Sequence, residues 1–339
     1  MASSKPPFLN KPDDFLQKAL HTTAAPFFSI DRPPRVAVAF SGGMDSTALL
    51  HAVATTFECP VLALNADHGI SSASTVWAET CADTAAACGA QFFSRRLSSL
   101  NAGMPNLEER ARDARWAALL QMAQQHKVSV LLTAHHANDQ AETVLLNLLR
   151  GTGLAGIGMS IHAQREGVTI LRPWLDLPRE AIAAYAARYA LKWIEDPSNS
   201  DLKLRRNAVR HTLWPAVLAT DSRALPALGR FAQLAAQSQE LLNFFGMREL
   251  ATMLPQAQRL DWLLFNRQAP TAQALLFRLW LKTLEIRAPT QARLTAMLTQ
   301  LQGEGQYGVR CSHAGWEFSK RREGKRVWIE ASCIEKTSS

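Results

Sequence analysis

What the chain lacks narrows its class before any motif is read. Its five cysteines, Cys59, Cys81, Cys88, Cys311 and Cys333, are odd in number and form no C-x-x-C pair. That pattern argues against a disulfide framework or a structural zinc site and fits a reducing, cytosolic compartment. No stretch reaches the ~20 apolar residues of a membrane helix, so no membrane partner is expected. Asp13, Asp14, Gln17 and Lys18 interrupt the only N-terminal stretch where a signal peptide's apolar core would sit. Internal repeats and low-complexity tracts are missing too. With 19% charged and 47% apolar residues, the composition is that of a globular protein with a sizeable core. The 339 residues suffice for two or three domains. A formal charge of +8 favours polyanion partners, nucleic acid among them.

The first half alternates strand and helix patterns. Short apolar runs at 35–40, 60–65, 90–97, 129–134 and 169–174 read as strands. Helical patterns occupy 46–57, 74–88, 107–127, 139–150 and 178–190 between and after them. This order predicts an α/β fold with a parallel, doubly wound sheet covered on both faces. From about Asn207 the strand signal vanishes, and 204–300 reads as mostly helical, with breaks near Pro215, Gly246, Pro255 and Pro289. The last stretch, 305–331, alternates again around the turn Arg322-Glu323-Gly324-Lys325, which suggests a terminal hairpin. The expected organisation is an N-terminal extension (1–32), a catalytic domain (33–215), a helical linker (216–248) and a small α+β C-terminal domain (249–339).

The sharpest motif is Ser41-Gly42-Gly43-Met44-Asp45-Ser46, between the first strand and the first helix of the α/β region. Two glycines allow a tight turn and close ligand approach, and free N–H groups at the helix start make an anion site. Ser46 is a candidate cap for that helix. An ordinary capped turn is the bland alternative. No lysine follows, so this is not the loop of enzymes that transfer a γ-phosphate. Polar clusters also follow the second strand (Asp67-His68-Gly69) and the fourth (His135 to Thr143). In a parallel sheet these ends share one edge, where open α/β sheets bind ligands. Asp139 and Glu142 share a helix face, either as acids near a helix start or as a pair for an ammonium or metal. His135 and His136 lack a third zinc ligand at convincing spacing. Arg112 and Arg115 share a face of the long helix. Gly151-Thr152-Gly153-Leu154-Ala155-Gly156 follows a helix, so it fails as a dinucleotide fingerprint and reads as a flexible loop.

The S-G-G-x-D-S loop resembles that of the ATP pyrophosphatases, of adenine nucleotide alpha hydrolase-like fold. The order of Ser41–Ser46, Asp67-His68-Gly69, Asn106-Leu107-Glu108 with Arg112 and Arg115, His135–Thr143, Arg150–Gly156 and Arg172-Pro173 continues into Trp193-Ile194-Glu195-Asp196-Pro197-Ser198-Asn199. Asp201, Arg206-Asn207 and Arg210 complete it. This series resembles the tRNA(Ile)-lysidine synthetase family over roughly 33–215 and more loosely beyond. Ser71 departs from it, standing where the family often has arginine. The chain also carries one small C-terminal domain where longer members carry another.

The resemblance implies a chemistry. ATP and Mg²⁺ would adenylate the wobble cytidine of a tRNA(Ile) with CAU anticodon. Free L-lysine would then displace AMP to give lysidine, changing codon reading from AUG to AUA. It assigns ATP binding to Ser41, Gly42, Gly43, Met44, Asp45 and Ser46, the metal to Asp45, and catalysis to Asp45, Arg112, Asp139 and Glu142. Arg205, Arg206 and Arg210 are expected to hold the anticodon-loop backbone, and Arg321, Arg322 and Lys325 to grip tRNA farther away. A solubilising turn is the alternative for the last three. A cytoplasmic enzyme is expected, and a homodimer stays open. The competing readings are a tRNA thiolase, which needs a reactive cysteine, and a tRNA-binding protein without catalysis.

Overall fold

The computed structural model describes residues 15–27, 35–67, 74–97, 107–195, 205–303 and 308–334. Expectations resting on His68, Gly69, Ser71, Asn106, Asp196–Asn199 and Asp201 lie outside these residues. The chain divides into two compact units, Met1–Ala236 and Gln237–Ser339.

The first unit opens with α1 (Phe15–Ala24), then β1 (Val36–Ala39), α2 (Met44–Thr56), β2 (Val61–Asp67), α3 (Ser74–Ala87) and β3 (Gln91–Arg96). It continues with α4 (Leu107–Gln125), β4 (Val130–Leu132), α5 (Ala137–Leu149), β5 (His162–Arg165), β6 (Val168–Leu171) and α6 (Arg179–Arg188). The six strands form one sheet in the order β3-β2-β1-β4-β6-β5. All neighbours pair parallel except β5, which lies antiparallel on β6. The five expected strands pair parallel, as predicted, and β5 is an added edge strand that the sequence reading did not include. Its sequence, HAQR, is mostly exposed and carries no apolar run, so only the two-residue turn at Glu166 and Gly167, both at positive φ, marks it.

Strand alternation sorts the core into two layers. Val36, Val38, Val61, Ala63, Val130, Leu132 and Leu171 face one buried cluster shared with α1, α2, α3 and α6. Ala37, Leu62, Leu64, Leu131, Val168 and Ile170 face a second, filled by Trp116, Leu119, Leu120 and Met122 of α4. Strands buried on both faces lose the polar half of their pattern, which is why they read as continuous apolar runs. The segment expected as an N-terminal extension supplies α1. Leu16, Leu20 and Ala24 recur at helical spacing and are buried, and Trp174 donates its indole N–H to the Leu16 carbonyl at 3.1 Å.

The chain runs from β1 outward to β3, then returns to place β4 on the other side of β1. The strand order therefore switches direction between β1 and β4, and their carboxyl ends flank the crevice where such sheets take ligands.

Beyond the sheet come α7 (Arg205–Ala208), a π-helical turn (Val209–Leu213), α8 (Trp214–Thr220) and α9 (Ala224–Ala251). The second unit then contains β7 (Arg259–Asp261), α10 (Trp262–Asn266), α11 (Pro270–Thr283), α12 (Gln291–Gln302), β8 (Arg310–His313), β9 (Trp316–Glu323) and β10 (Arg326–Cys333). Its antiparallel sheet runs β7-β10-β9-β8 over a core of Trp280, Phe265, Phe277, Phe318 and Ile329. The hairpin is present: Glu323 pairs with Arg326 around Gly324, which sits at φ 61°. One local expectation is corrected. Gly246 does not break a helix but lies inside α9, where an added Cβ would come within 2.5 Å of Leu279 Cδ1, so it serves close packing. The region read as mostly helical also contains the three-residue strand β7, too short to show a period.

Candidate functional site

The loop after β1 is shaped by its own hydroxyls. Ser41 N–H donates to Ser46 Oγ at 3.2 Å, the two serine hydroxyls lie 3.1 Å apart, and Ser46 Oγ donates to the Gly43 carbonyl at 3.0 Å. Ser46 is thus not the helix cap. Gly43 holds that position without a side-chain bond, and Ser46 ties the first turn back onto the loop. Gly42 sits at φ 80°, where an added Cβ would meet Cys81 Sγ at 2.5 Å and Ile194 Cδ1 at 3.3 Å. The Ile194 N–H donates to the Gly42 carbonyl at 2.9 Å. The loop is therefore braced from below by α3 and from the side by the stretch after α6. From β2, Asn65 Nδ2 donates to the Phe40 carbonyl at 2.8 Å.

After β4 the chain makes a second built helix start. His136 caps α5: its Nδ1 accepts the Asp139 N–H, while its own N–H donates to Asp139 Oδ2 at 3.1 Å. With Nδ1 accepting, a neutral ring carries its proton on Nε2, which faces Asp139 Oδ2 at 3.3 Å and Asp45 Oδ2 at 3.8 Å. His136 thus joins the two helix starts. Among the described residues no group of three His, Cys, Asp or Glu side chains could hold a metal.

Asp139 and Glu142 share one face of α5, as their spacing predicted, and both are already partnered. Arg206 donates to Glu142 Oε2 at 2.9 Å and to Asp139 Oδ1 at 2.8 Å. Arg210 donates to Glu142 Oε1 at 2.6 Å and Oε2 at 3.1 Å, and to Asp139 Oδ1 at 3.4 Å. Two acids and two guanidinia cancel. Burial opposes ionisation of Asp139, but His136 and Arg206 outweigh it and hold its carboxyl below the usual range. Burial likewise opposes the charge on Arg210, and Glu142 outweighs it. The sequence did not reveal this pairing, because the partners lie far apart in the chain and a cluster of arginines reads as an RNA contact.

Asp45, in the first turn of α2, is the opposite case. Burial pushes its carboxyl above the ordinary value, only partly offset by His136 and by Arg179. Its Oδ1 is buried without a hydrogen-bond partner, and Arg179 Nε stands 3.7 Å away, beyond useful hydrogen-bond reach. Arg179 is a residue that sequence reading missed. It opens α6, where its N–H donates to Asn138 Oδ1 at 3.0 Å.

The other expected residues divide. Arg112 lies on α4 near Arg206, and burial and that neighbour lower its pKa. Arg205 is exposed. In the second unit Arg321 stands 3.7 Å from Glu330, Arg322 Nε donates to the Gly324 carbonyl at 2.9 Å, and Lys325 is exposed in the turn. The loop 151–156 is tethered. Gly151 and Thr152 close α5 with N–H bonds to Leu148 and Asn147, in the pattern of a Schellman cap, and Asn147 Nδ2 holds the Gly156 carbonyl at 2.9 Å. Cys59 and Cys81 are pushed up to about 11 by burial, and Cys88 is raised in the same way. None of the three is a ready thiolate.

Comparison with known proteins agrees with this geometry. A PP-loop domain model matches residues 14–217, and a TilS substrate binding domain model matches 260–328. The chain is 42% identical to the tRNA(Ile)-lysidine synthase of Ralstonia nicotianae over 88% of its own length and 65% of that protein's. For the enzyme of Burkholderia pseudomallei the figures are 38%, 85% and 60%. For that of Bordetella pertussis they are 37%, 88% and 96%. The chain therefore spans less than two thirds of the first two relatives and nearly all of the third. Among solved structures, U34-tRNA thiolase NcsA from Methanococcus maripaludis superposes with a TM-score of 0.55 at 17% identity, covering 65% of this chain and 78% of that one, a likeness of fold alone. With a PP-loop domain over most of the chain and relatives of one kind, the chain belongs to the tRNA(Ile)-lysidine synthase family.

Proposed function

We propose that the protein ligates free L-lysine to carbon 2 of the wobble cytidine of a CAU-anticodon tRNA(Ile), using ATP. The observation that carries the reading is the junction of the two helix starts. The phosphate loop after β1 and the His136–Asp139–Glu142 cluster after β4 meet at the switch point of the sheet, linked through His136 and Asp45. In the first step the cytidine oxygen O2 forms a bond to the α-phosphorus of ATP as the bond to pyrophosphate breaks. In the second the ε-amine of lysine, having shed a proton, attacks carbon 2 and AMP departs with that oxygen. Free N–H groups at the start of α2 receive the pyrophosphate.

Mg²⁺ fits Asp45. A half-buried carboxylate with one buried, orphaned oxygen and a raised pKa gains most from an incoming cation. One carboxylate plus phosphate oxygens is a usual magnesium set, and the ion would neutralise charge on the departing pyrophosphate. Asp139 and Glu142 hold Arg206 and Arg210 in the free protein, so a lysine ammonium would enter by sharing or exchanging these partners. This reading moves Arg206 and Arg210 from a role on the RNA backbone to one beside the carboxylates. His135, pushed down to about 3 by burial with Arg172, Arg206 and Arg112 acting in the same sense, is uncharged at neutral pH and is no general acid there.

The thiolase alternative lacks a suitable group: the three cysteines of the α/β unit are pushed toward the neutral thiol. No helix among the described residues is long and apolar enough to cross a membrane. Pyrophosphate release measured with ATP, tRNA(Ile) transcript and lysine tests the proposal. Lysine-dependent incorporation into the tRNA is expected. Turnover with sulfur donors but not with lysine would overturn it.

A further inference from the structure

Charge does not balance on the far side of the ligand edge. Asp139 and Glu142 are matched by Arg206 and Arg210. Beyond them stand Arg112, Arg165 and Arg172, and none of the three makes an ion pair among the described residues.

Arg172 directly follows β6 and is 6% exposed. Its Nη1 donates to the Ser160 carbonyl at 2.7 Å, while its Nε is buried and finds no acceptor. A guanidinium buried with an unmet donor is costly, and native proteins keep such groups chiefly where something else satisfies them. Arg165, on the neighbouring edge strand β5, lies with its guanidinium 4.7 Å over the Trp116 ring. Trp116 is one turn along α4 from Arg112, so the three arginines line one surface. They repel one another: burial, then Arg165 and Arg112, bring Arg172 down to about 10. The surface therefore has a buried root, an exposed rim and a surplus of positive charge.

We propose that Arg172 and Arg165, with Arg112 on the inner rim, form a second anion seat, which takes a phosphodiester of the RNA beside the base offered to the phosphate loop. The proposal rests on the reading that an RNA base is the substrate. Its location separates it from the ATP phosphates. β6 lies two strands from β1, which at ~4.8 Å per strand places the seat about 10 Å from the loop. That is far for the same phosphate but suits the backbone of a nucleotide whose base reaches the loop. The shape separates it from an amino-acid carboxylate. One carboxylate is met by a single forked guanidinium in an enclosed pocket, whereas this surface runs from a buried arginine out to solvent.

The test uses the full chain with tRNA(Ile) transcript, measuring tRNA affinity against salt together with KM for lysine and for ATP. Arg165→Gln changes an exposed side chain and leaves the core intact. It is expected to flatten the log–log salt slope by about 0.7–0.9, with both KM values unchanged. Arg172→Lys keeps the charge and loses the fork, so it should weaken tRNA binding several-fold at an unchanged slope. Unchanged slope and affinity in Arg165→Gln overturn the seat. A raised lysine KM with unchanged tRNA binding overturns it in favour of a carboxylate site. Lysine-dependent pyrophosphate release by the wild type decides the underlying reading separately. A wild type that binds no tRNA overturns both.

Discussion

Helices α2 and α5 begin alike and end up electrostatically opposed. Each follows a buried parallel strand, each points its N-terminus into the same crevice, and each carries an aspartate in its first turn. Around Asp139 the chain supplies everything: a cap from His136, two arginines and a second acid to complete the balance. Around Asp45 it stops short, leaving a buried oxygen unsatisfied. The difference separates the part of the site that is prebuilt from the part that waits for something from outside. Folding tolerates one unmet group there because the sheet around it is fully packed, and ligand binding is where such a group is met.

The comparison is broken most severely at Asp45. Asp45→Asn is expected to lower pyrophosphate release by about 10²-fold or more, several kcal/mol of transition-state stabilisation. Its melting temperature should not fall, since the substitution removes a partly desolvated charge that the fold leaves without a hydrogen bond on one oxygen. Near-wild-type release at saturating Mg²⁺ would remove Asp45 from the metal role.

At the prebuilt end, Glu142→Gln should show the reverse balance. Two guanidinia lose their main acceptor, so stability in a denaturant titration should drop by about 1–3 kcal/mol. Lysine KM should rise more than ATP KM. Equal rises would mean that the carboxylates do not serve lysine.

Gly42→Ala sharpens the contrast within the loop itself. A non-glycine residue at that φ costs about 1–2 kcal/mol, and contact with Cys81 adds to it. ATP affinity should fall, and Cys81→Ala in that background should recover only the steric share. Gly43→Ala, at ordinary φ with only a 3.5 Å neighbour, should strain the free loop far less than Gly42→Ala does.

The smallest effect is expected in the second unit. Neutralising Arg321, Arg322, Lys325 and Arg326 together should flatten the salt slope of tRNA binding by less than four full contacts. Arg321 and Arg322 already have partners in the hairpin. ATP affinity should not change, and an unchanged salt slope would leave the hairpin without an RNA role.

How much of this was legible in sequence follows from the range of the interactions. The inner strands β1, β2, β4 and β6 show because burial on both faces makes them apolar runs, and the loops after β1 and β4 show because glycine and polar clusters interrupt those runs. What failed to show depends on partners distant in the chain. α1 was passed over because Gln17 and Lys18 break the run, although Leu16, Leu20 and Ala24 keep helical spacing. β5 was passed over because an edge strand needs no apolar face. The pairing of Arg206 and Arg210 with Asp139 and Glu142 was not visible because charge type alone cannot tell a cation waiting for phosphate from one already held by carboxylates. Gly246 looked like a break because its use, the approach of Leu279, lies on another helix.

The hydrogen bond from Ile194 to Gly42 also sets a timetable. During synthesis the phosphate-loop motif leaves the ribosome early, while its brace, and β6 with it, emerges only near the close of the α/β domain. Contacts so distant in sequence form late, after the entropy of closing a long loop has been met. A nascent or truncated chain would thus display the complete nucleotide motif without the nucleotide site, and ATP binding would report that the domain has finished folding.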